Sequence, residues 1–436
     1  MNPMSAPLPD RLLVYLDGRE AGVLQPVEAG VTFRLRYHDE WRRDPDAYPL
    51  SLSLPLAAAE HGGLAVRHYL RGLIPDNQAR LHEISARFGV SPDDPYAVLA
   101  RIGEDCPGAV QFAVPARREV LANPEAGEIT WLEHGEIVEL VQALHARSDD
   151  AAHYLETGRF SLPGALPKLA LRWDPEGRRW GLPASRAAST HILKPPLRGV
   201  PFHTENEYVC LELARAVGLS TARAERVRFG SLQVLMVERY DRRVEAGEVR
   251  RLHQEDLAQA LGRDPALKYV GQGAPGVREI VKLLRSHASH RDVDAFVDAL
   301  VFNWVIVGTD AHVRNYSILI GAGGSVRLAP LYDLASACGF SQESGIPPGA
   351  RNAPMVIGER RMYGEINRAA WEAEFRAIRY EKRGVSRVRQ VVERISSALP
   401  EVAGRAEAGG VSRAFLDELS AGIRQRLEVC RRQLDA

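Results

Sequence analysis

Residues 11–16 (Arg-Leu-Leu-Val-Tyr-Leu) and 21–24 flank Asp17-Gly18, a turn dipeptide between β-favouring runs, and predict a hairpin. Residues 31–37 alternate between apolar and polar and predict a third strand, and 110–114 predict another. Between them, 64–88 carries helical spacing, so residues 1–115 read as a small α/β unit. Residues 116–128 are polar and broken by Pro124 and Gly127, which predicts a linker. A helix is expected near 136–147, and strands at 169–173, 190–194, 223–229 and 231–239. Thr204 precedes Glu205-Asn206-Glu207 and reads as a helix N-cap, with Glu207 at the third helical position completing a capping box. From about 254 the spacing turns mostly helical, over 254–262, 276–287, 291–307, 367–379, 384–397 and 412–433. No internal repeat or low-complexity tract interrupts the pattern. A sheet-bearing first half and a helical second half imply a cleft, a common place for a ligand.

Composition narrows the classes. The 436 residues allow two or three domains, and 45% hydrophobic with 26% charged residues describes a globular chain with a large core. Net charge is zero, with 56 basic against 56 acidic residues, so nothing global points to nucleic acid or an acidic membrane. Cys106, Cys210, Cys338 and Cys430 lie at least 92 residues apart, which excludes a CxxC metal or redox pair. The first ten residues lack a basic and an apolar signal region, and the most apolar run, 296–308, contains Asp298 and Asn303. A cytoplasmic protein without membrane contact is expected.

The most informative stretch is Gly308-Thr309-Asp310-Ala311-His312-Val313-Arg314-Asn315, followed by Leu331-Tyr332-Asp333. Asp310 and Asn315 have the D-x-x-x-x-N spacing of a kinase catalytic loop, and Asp333 follows on a separate segment. Phosphoryl transfer needs a carboxylate to take the attacking hydroxyl's proton, and oxygen ligands for Mg²⁺. Asp310 fits the first post, Asn315 and Asp333 the second. Asp and Asn also favour turns, so the same residues fit a turn after a helix ended by Gly308.

Two further features bear on that choice. Of the 56 basic residues only five are Lys, and Lys194 ends the apolar run His191-Ile192-Leu193-Lys194 just before a Glu-bearing helix. Kinases hold nucleotide phosphates with such a Lys paired to a helix Glu, and Arg does not replace it. Glu207 and Glu205 are both candidate partners. Ser161-Leu162-Pro163-Gly164-Ala165-Leu166-Pro167-Lys168 precedes a strand, and its glycine and lysine suit a phosphate-approaching loop, although it is neither a Walker A loop nor GxGxxG.

With these residues in place, the chain resembles the HipA-type serine/threonine kinases, the toxins of bacterial HipBA toxin–antitoxin modules. The resemblance covers nearly the whole chain. It runs through Pro49-Leu50-Ser51-Leu52-Ser53-Leu54-Pro55, Gly72-Leu73-Ile74-Pro75-Asp76-Asn77 and Ile102-Gly103-Glu104-Asp105-Cys106-Pro107-Gly108-Ala109. It continues through Phe160 to Lys168, Ser189 to Lys194, Glu205-Asn206-Glu207, Val237-Glu238-Arg239-Tyr240-Asp241-Arg242 and His253-Gln254-Glu255-Asp256, ending on the catalytic-loop residues. It implies an α+β, kinase-like two-lobed fold: an N-terminal subdomain (1–125), a sheet lobe with phosphate loop and hinge (126–245) and an all-α C-terminal lobe (246–436).

The resemblance implies ATP and Mg²⁺ as cofactors, Asp310 as catalytic base, and Asn315 and Asp333 as Mg²⁺ ligands. ATP would meet Ser161, Gly164, Ala165, Lys168 and Lys194, with Val237, Glu238 and Tyr240 at the hinge and His312 beside the base. Ser161 matches the serine whose autophosphorylation ejects the loop and switches the enzyme off. The implied acceptor is an aminoacyl-tRNA synthetase, glutamyl-tRNA synthetase in the best-known case. The implied partner is a HipB-like DNA-binding antitoxin, through which alone the chain would reach DNA. Pro163, Leu166, Pro167 and Arg314 depart from the family pattern, and two prolines predict a stiffer phosphate loop. A kinase with a different or non-toxic substrate, and a kinase-like scaffold serving as co-repressor, are the competing readings.

Gly271-Gln272-Gly273-Ala274-Pro275-Gly276 spells GxGxxG but lacks a preceding strand and reads as a connector. His287 and His290 have no third ligand nearby and read as surface residues.

Overall fold

Asp17 and Gly18 both take positive φ (48° and 74°), as a two-residue hairpin turn between right-twisted strands requires, and they join strand Leu12–Leu16 to Arg19–Val27. The computed structural model describes residues 8–27, 32–123, 127–146, 161–164, 166–245, 248–340 and 351–435. Ala165 and Phe160 lie outside these described residues. The chain forms two compact units, one of 1–199, 225–265 and 319–325, the other of 200–224, 266–318 and 326–436.

Two large sheets and the small hairpin Arg242–Glu245/Glu248–Arg251 lie in the first unit. A five-stranded sheet runs in the order Glu60–Gly62, Thr32–Tyr37, Arg19–Val27, Leu12–Leu16, Val110–Ala113. Every residue of Leu12–Leu16 is buried. Leu12, Val14 and Leu16 pack with Leu70, Leu73 and Leu99, while Leu13 and Tyr15 face Ala113 and Leu121, so the unbroken apolar run reflects burial on both faces. The helical stretch expected over 64–88 is two helices, Gly63–Leu73 and Gln78–Phe88, parted at Pro75, which cannot continue the first.

A six-stranded sheet follows in the order Ala224–Phe229, Leu232–Glu238, His191–Lys194, Leu169–Asp174, Arg179–Ser185, Gly127–Leu132. The expected linker at 116–128 is therefore corrected: it holds a short helix, Arg118–Ala122, and its end enters the edge strand Gly127–Leu132. Helix His134–Ala146 packs Ile137, Leu140 and Val141 onto Leu169, Leu171, Leu182 and Leu193 of this sheet. The helix expected at 254–262 also starts later, because strand His253–Asp256 precedes the single turn Leu257–Ala260.

A buried ionic cluster ties the motifs of the first unit together. Asp105 meets Arg242 at 2.8 Å, Arg251 at 3.3 Å and Arg239 at 3.4 Å, and accepts from Ser189 Oγ at 2.6 Å. Asp241 meets Arg239 at 2.8 Å and accepts from the Gly108 amide at 2.6 Å. Burial alone would raise the Asp105 pKa, yet the three guanidinium groups hold it well below the usual carboxylate range.

The second unit is built on helix His290–Ile306, which is buried on nearly every side from Val293 onward and starts in a Ser289/Asp292 capping box. Long helices Gly384–Ala408 and Arg413–Asp435 pack on it. Asp298, buried within it, binds Arg387 and Arg394 of the first of these. The α+β class stands, and the C-terminal part is mainly helical with short strands added, among them the pair Asn352–Ile357 and Arg360–Met362. Among the described residues no helix is long and apolar enough to cross a membrane.

Candidate active site

The last turn of helix His290–Ile306 sets the loop expected to be catalytic. Val307 ends the helix in the left-handed region (φ 55°), an uncommon conformation for a β-branched residue and one that stores strain beside the loop. Gly308 lies against Asn303: an added Cβ would sit 2.2 Å from Asn303 Oδ1. Asn303 cannot easily yield, since its amide donates to Ala299 O at 3.0 Å and to the Tyr316 hydroxyl at 3.1 Å. Tyr363 donates to Gly308 O at 2.9 Å and is almost fully buried, which fixes the loop two residues before Asp310.

Asp310 projects outward, with its side chain 61% exposed. Asn315 Nδ2 donates to the Asp310 carbonyl at 2.6 Å and to Asp310 Oδ2 at 3.3 Å. The spacing of four intervening residues therefore closes a small ring, and the turn reading and the kinase reading describe one geometry. His312 is buried, and its Nε2 stands 3.6 Å from Asp310 Oδ1. Burial lowers its pKa and the Asp310 charge opposes that shift. Its Nδ1 has no hydrogen-bond partner among the described residues.

The residue before Asp333 is tied to the loop. The Tyr332 hydroxyl donates to Arg314 O at 2.9 Å and shares a 2.6 Å hydrogen bond with Ser317 Oγ. Asp333 itself has φ 51°, a strained setting of the kind found at functional positions. Asn206, which sequence reasoning passed over in favour of its glutamate neighbours, secures the chain beyond: its amide donates to Ser336 O at 2.8 Å and its Oδ1 accepts from Ser336 N at 3.1 Å. Ser336 Oγ in turn donates to Ile306 O at 2.6 Å.

The expected capping box at Thr204 is corrected. Helix His203–Ala216 begins a residue earlier, its N-cap is Phe202 (φ 55°), and Thr204 lies inside the first turn, where its hydroxyl donates to Glu205 at 2.9 Å. Phe202 stacks on Phe415 with ring centroids 4.9 Å apart, so packing rather than a side-chain cap fixes this end. Glu207 is buried on the same helix.

In the first unit, Lys194 closes strand His191–Lys194 and is 8% exposed. Its strand pairs with Leu232–Glu238, placing Lys194 opposite Leu235, Ile192 opposite Val237 and His191 opposite Glu238. Val237 is buried and Glu238 exposed. The Tyr240 hydroxyl donates to Gln254. Ser161 is fully buried: its hydroxyl donates to Leu73 O at 2.7 Å and its amide to Asp105 O at 3.0 Å. Gly164, at φ 110°, accepts from the Asp76 amide at 3.3 Å. Lys168 turns back onto its own loop and donates to Pro163 O at 2.6 Å. His287 and His290 are exposed, and no cluster of three metal-ligating His, Cys, Asp or Glu side chains occurs among the described residues.

Tyr269 was not legible as a site residue. Its hydroxyl lies 3.3 Å from Asp310 Oδ1 and its ring meets His312 edge-on at 5.6 Å. It opens the connector holding the GxGxxG decoy, and no motif marks it.

Comparisons with known proteins place the chain among its relatives. Residues 12–113 match the HipA N-terminal domain and residues 160–403 the HipA-like C-terminal domain. The Y4mE protein of Sinorhizobium fredii is 37% identical over 83% of this chain and 84% of its own. The serine/threonine-protein kinase toxin HipA of Shewanella oneidensis is 30% identical over 70% of each chain. A chain from the solved Shewanella oneidensis complex of HipA, HipB and operator DNA superposes with a TM-score of 0.79 at 22% identity, over 97% of this chain and 98% of its own, which establishes the shared fold. With both domains matched, this chain belongs to the HipA-like serine/threonine kinase toxin family.

Proposed function

We propose that the chain is a Mg²⁺- and ATP-dependent protein serine/threonine kinase, acting as the toxin of a toxin–antitoxin pair on an aminoacyl-tRNA synthetase, glutamyl-tRNA synthetase by family resemblance. The observation that carries this reading is the bond from Asn315 Nδ2 to both the carbonyl and the carboxylate of Asp310, which holds base and amide in register. Asp310 receives the proton of the acceptor hydroxyl as its oxygen bonds to the γ-phosphorus and the bond to ADP breaks. Bound Mg²⁺ neutralises phosphate charge. The donors fit it, because Asn315 commits its Nδ2 to Asp310 and keeps an amide oxygen for a hard cation, and Asp333 would supply a carboxylate. Lys194 contributes a point charge to nucleotide phosphates.

Ser161 is the proposed self-inhibitory site. A phosphate on a fully buried hydroxyl that bonds Leu73 O would take its charge out of water and replace that bond's donor, so the modified loop is expected to leave its seat. A HipB-like antitoxin is the proposed partner, a reading supported by the complex in which the structural neighbour was solved.

Intact-mass measurement after incubation with Mg-ATP tests both parts. The wild-type chain gains one phosphate, Ser161→Ala gains none, and Asp310→Ala gains none while retaining Ser161. Equal phosphate on wild type and Asp310→Ala overturns the assignment of the base.

A further inference from the structure

The two oxygens of the Asp310 carboxylate are not equivalent. Oδ2 faces the Asn315 amide at 3.3 Å, on the side of the proposed metal ligand. Oδ1 is the oxygen left for an incoming hydroxyl, and a hydroxyl already stands there, that of Tyr269 at 3.3 Å. His312 Nε2, at 3.6 Å from the same oxygen, is too far for a good hydrogen bond. A phenol donating to a carboxylate presents the same O–H to the same acceptor as a serine or threonine awaiting transfer. Tyr269 is about a third exposed and its contact is long, so the bond is weak enough to be exchanged. Its ring is held by His312, edge-on at 5.6 Å, and its carbonyl accepts from Gln272 at 2.8 Å, so the hydroxyl is placed by packing rather than by chance. Burial and the Asp310 charge both raise the phenol's pKa, which keeps it protonated and donating.

We propose that Tyr269 is a positioning residue of the acceptor subsite: its hydroxyl occupies Asp310 Oδ1 in the resting enzyme and is displaced by the hydroxyl of the protein substrate. This rests on the kinase reading of Asp310. Tyr269 thereby sets a threshold for acceptors, admitting those whose own contacts exceed one hydrogen bond.

Two measurements test it. Initial rates of phosphate transfer are followed against total bacterial lysate protein as acceptor at saturating Mg-ATP, for wild type, Tyr269→Phe and Tyr269→Ala. Tyr269→Phe keeps the ring on His312 and deletes the competing donor. Its half-saturating acceptor concentration is expected to fall roughly 3–10-fold with kcat unchanged, the equivalent of one net hydrogen bond. Tyr269→Ala, which also frees His312, loses kcat. A fall in kcat for Tyr269→Phe at constant half-saturation, or no change in either, overturns the proposal. Separately, the ultraviolet phenolate titration of Tyr269, taken as wild type minus Tyr269→Phe, shifts to lower pH in an Asp310→Asn background. No shift overturns the contact, and with it the inference alone. Absence of any transfer by the wild type instead overturns the kinase reading on which the inference stands.

Discussion

Single side chains carry opposite electrostatic tasks in the two units. Asp310, the proposed base, is exposed and close to donors. Glu255 is buried in the first unit, where its Oε1 accepts from the Leu52 amide at 2.8 Å and its Oε2 lacks a hydrogen-bond partner among the described residues. Burial pushes its pKa up to about 8, from an ordinary 4.5. Between those values the unfolded chain has lost the proton and the folded chain keeps it. Stability is therefore fully present below about 4.5 and declines as pH rises toward 8, by ~1.4 kcal/mol per pH unit. Buried His253, lowered to about 4 by burial, acts the other way, and only below its ordinary 6.5. From pH 6.5 to 8 the Glu255 effect stands apart. Over that window the wild type is expected to lose about 2 kcal/mol more than Glu255→Gln, measured by urea unfolding at both ends. Parallel losses in the two proteins would show that Glu255 ionises normally.

At the scale of elements, the proposed catalytic loop depends on how one helix ends. Gly308 is required by Asn303, whose amide is already committed to Ala299 O and Tyr316. Gly308→Ala forces that pair apart and shifts Asp310 with the loop. Overpacking of this kind costs ~1–3 kcal/mol, and a misplacement near 1 Å lowers transfer by up to ~10²-fold. A Gly308→Ala protein with wild-type melting and rate would contradict this account of the loop. The long helices were legible because their apolar spacing persists over many turns, as in 291–307 and 412–433. Strand His253–Asp256 was not: it contains no apolar residue, and its order comes from distant backbone, such as His253 to Leu50 O at 2.9 Å. The edge strand Gly127–Leu132 was hidden by the Pro124 and Gly127 punctuation, although Ile129 and Trp131 alternate with polar residues. Thr204 carried a capping signature that Phe202 overrode by stacking on Phe415.

At the scale of the molecule, family motifs far apart in sequence do their work by meeting. Asp105 gathers Ser189, Arg239, Arg242 and Arg251, which lie 84 to 146 residues away, and its backbone carbonyl also accepts from Ser161. The N-terminal region thus seats Ser161 directly. Each motif could be read from the chain, but their convergence could not, since no local pattern encodes a partner a hundred residues distant. The proposed base and metal residues stand out in the sequence because phosphoryl transfer demands fixed residue types at fixed spacing. Tyr269 was not, because its role depends only on where its hydroxyl falls. Asp105→Asn leaves three guanidinium groups with one carboxylate fewer and is expected to cost ~3–5 kcal/mol. Differential unfolding should show this in the first unit, and a change below ~1 kcal/mol would mean that the cluster is already largely hydrated.

The kinase reading is tested most directly by incubating the purified chain with Mg²⁺, γ-labelled ATP and bacterial lysate, beside an Asp310→Ala protein shown to be folded by circular dichroism. Label is expected on a discrete lysate protein with the wild type and to fall by ~10²-fold or more with Asp310→Ala. Equal labelling by the two proteins, or none by the wild type, would contradict it.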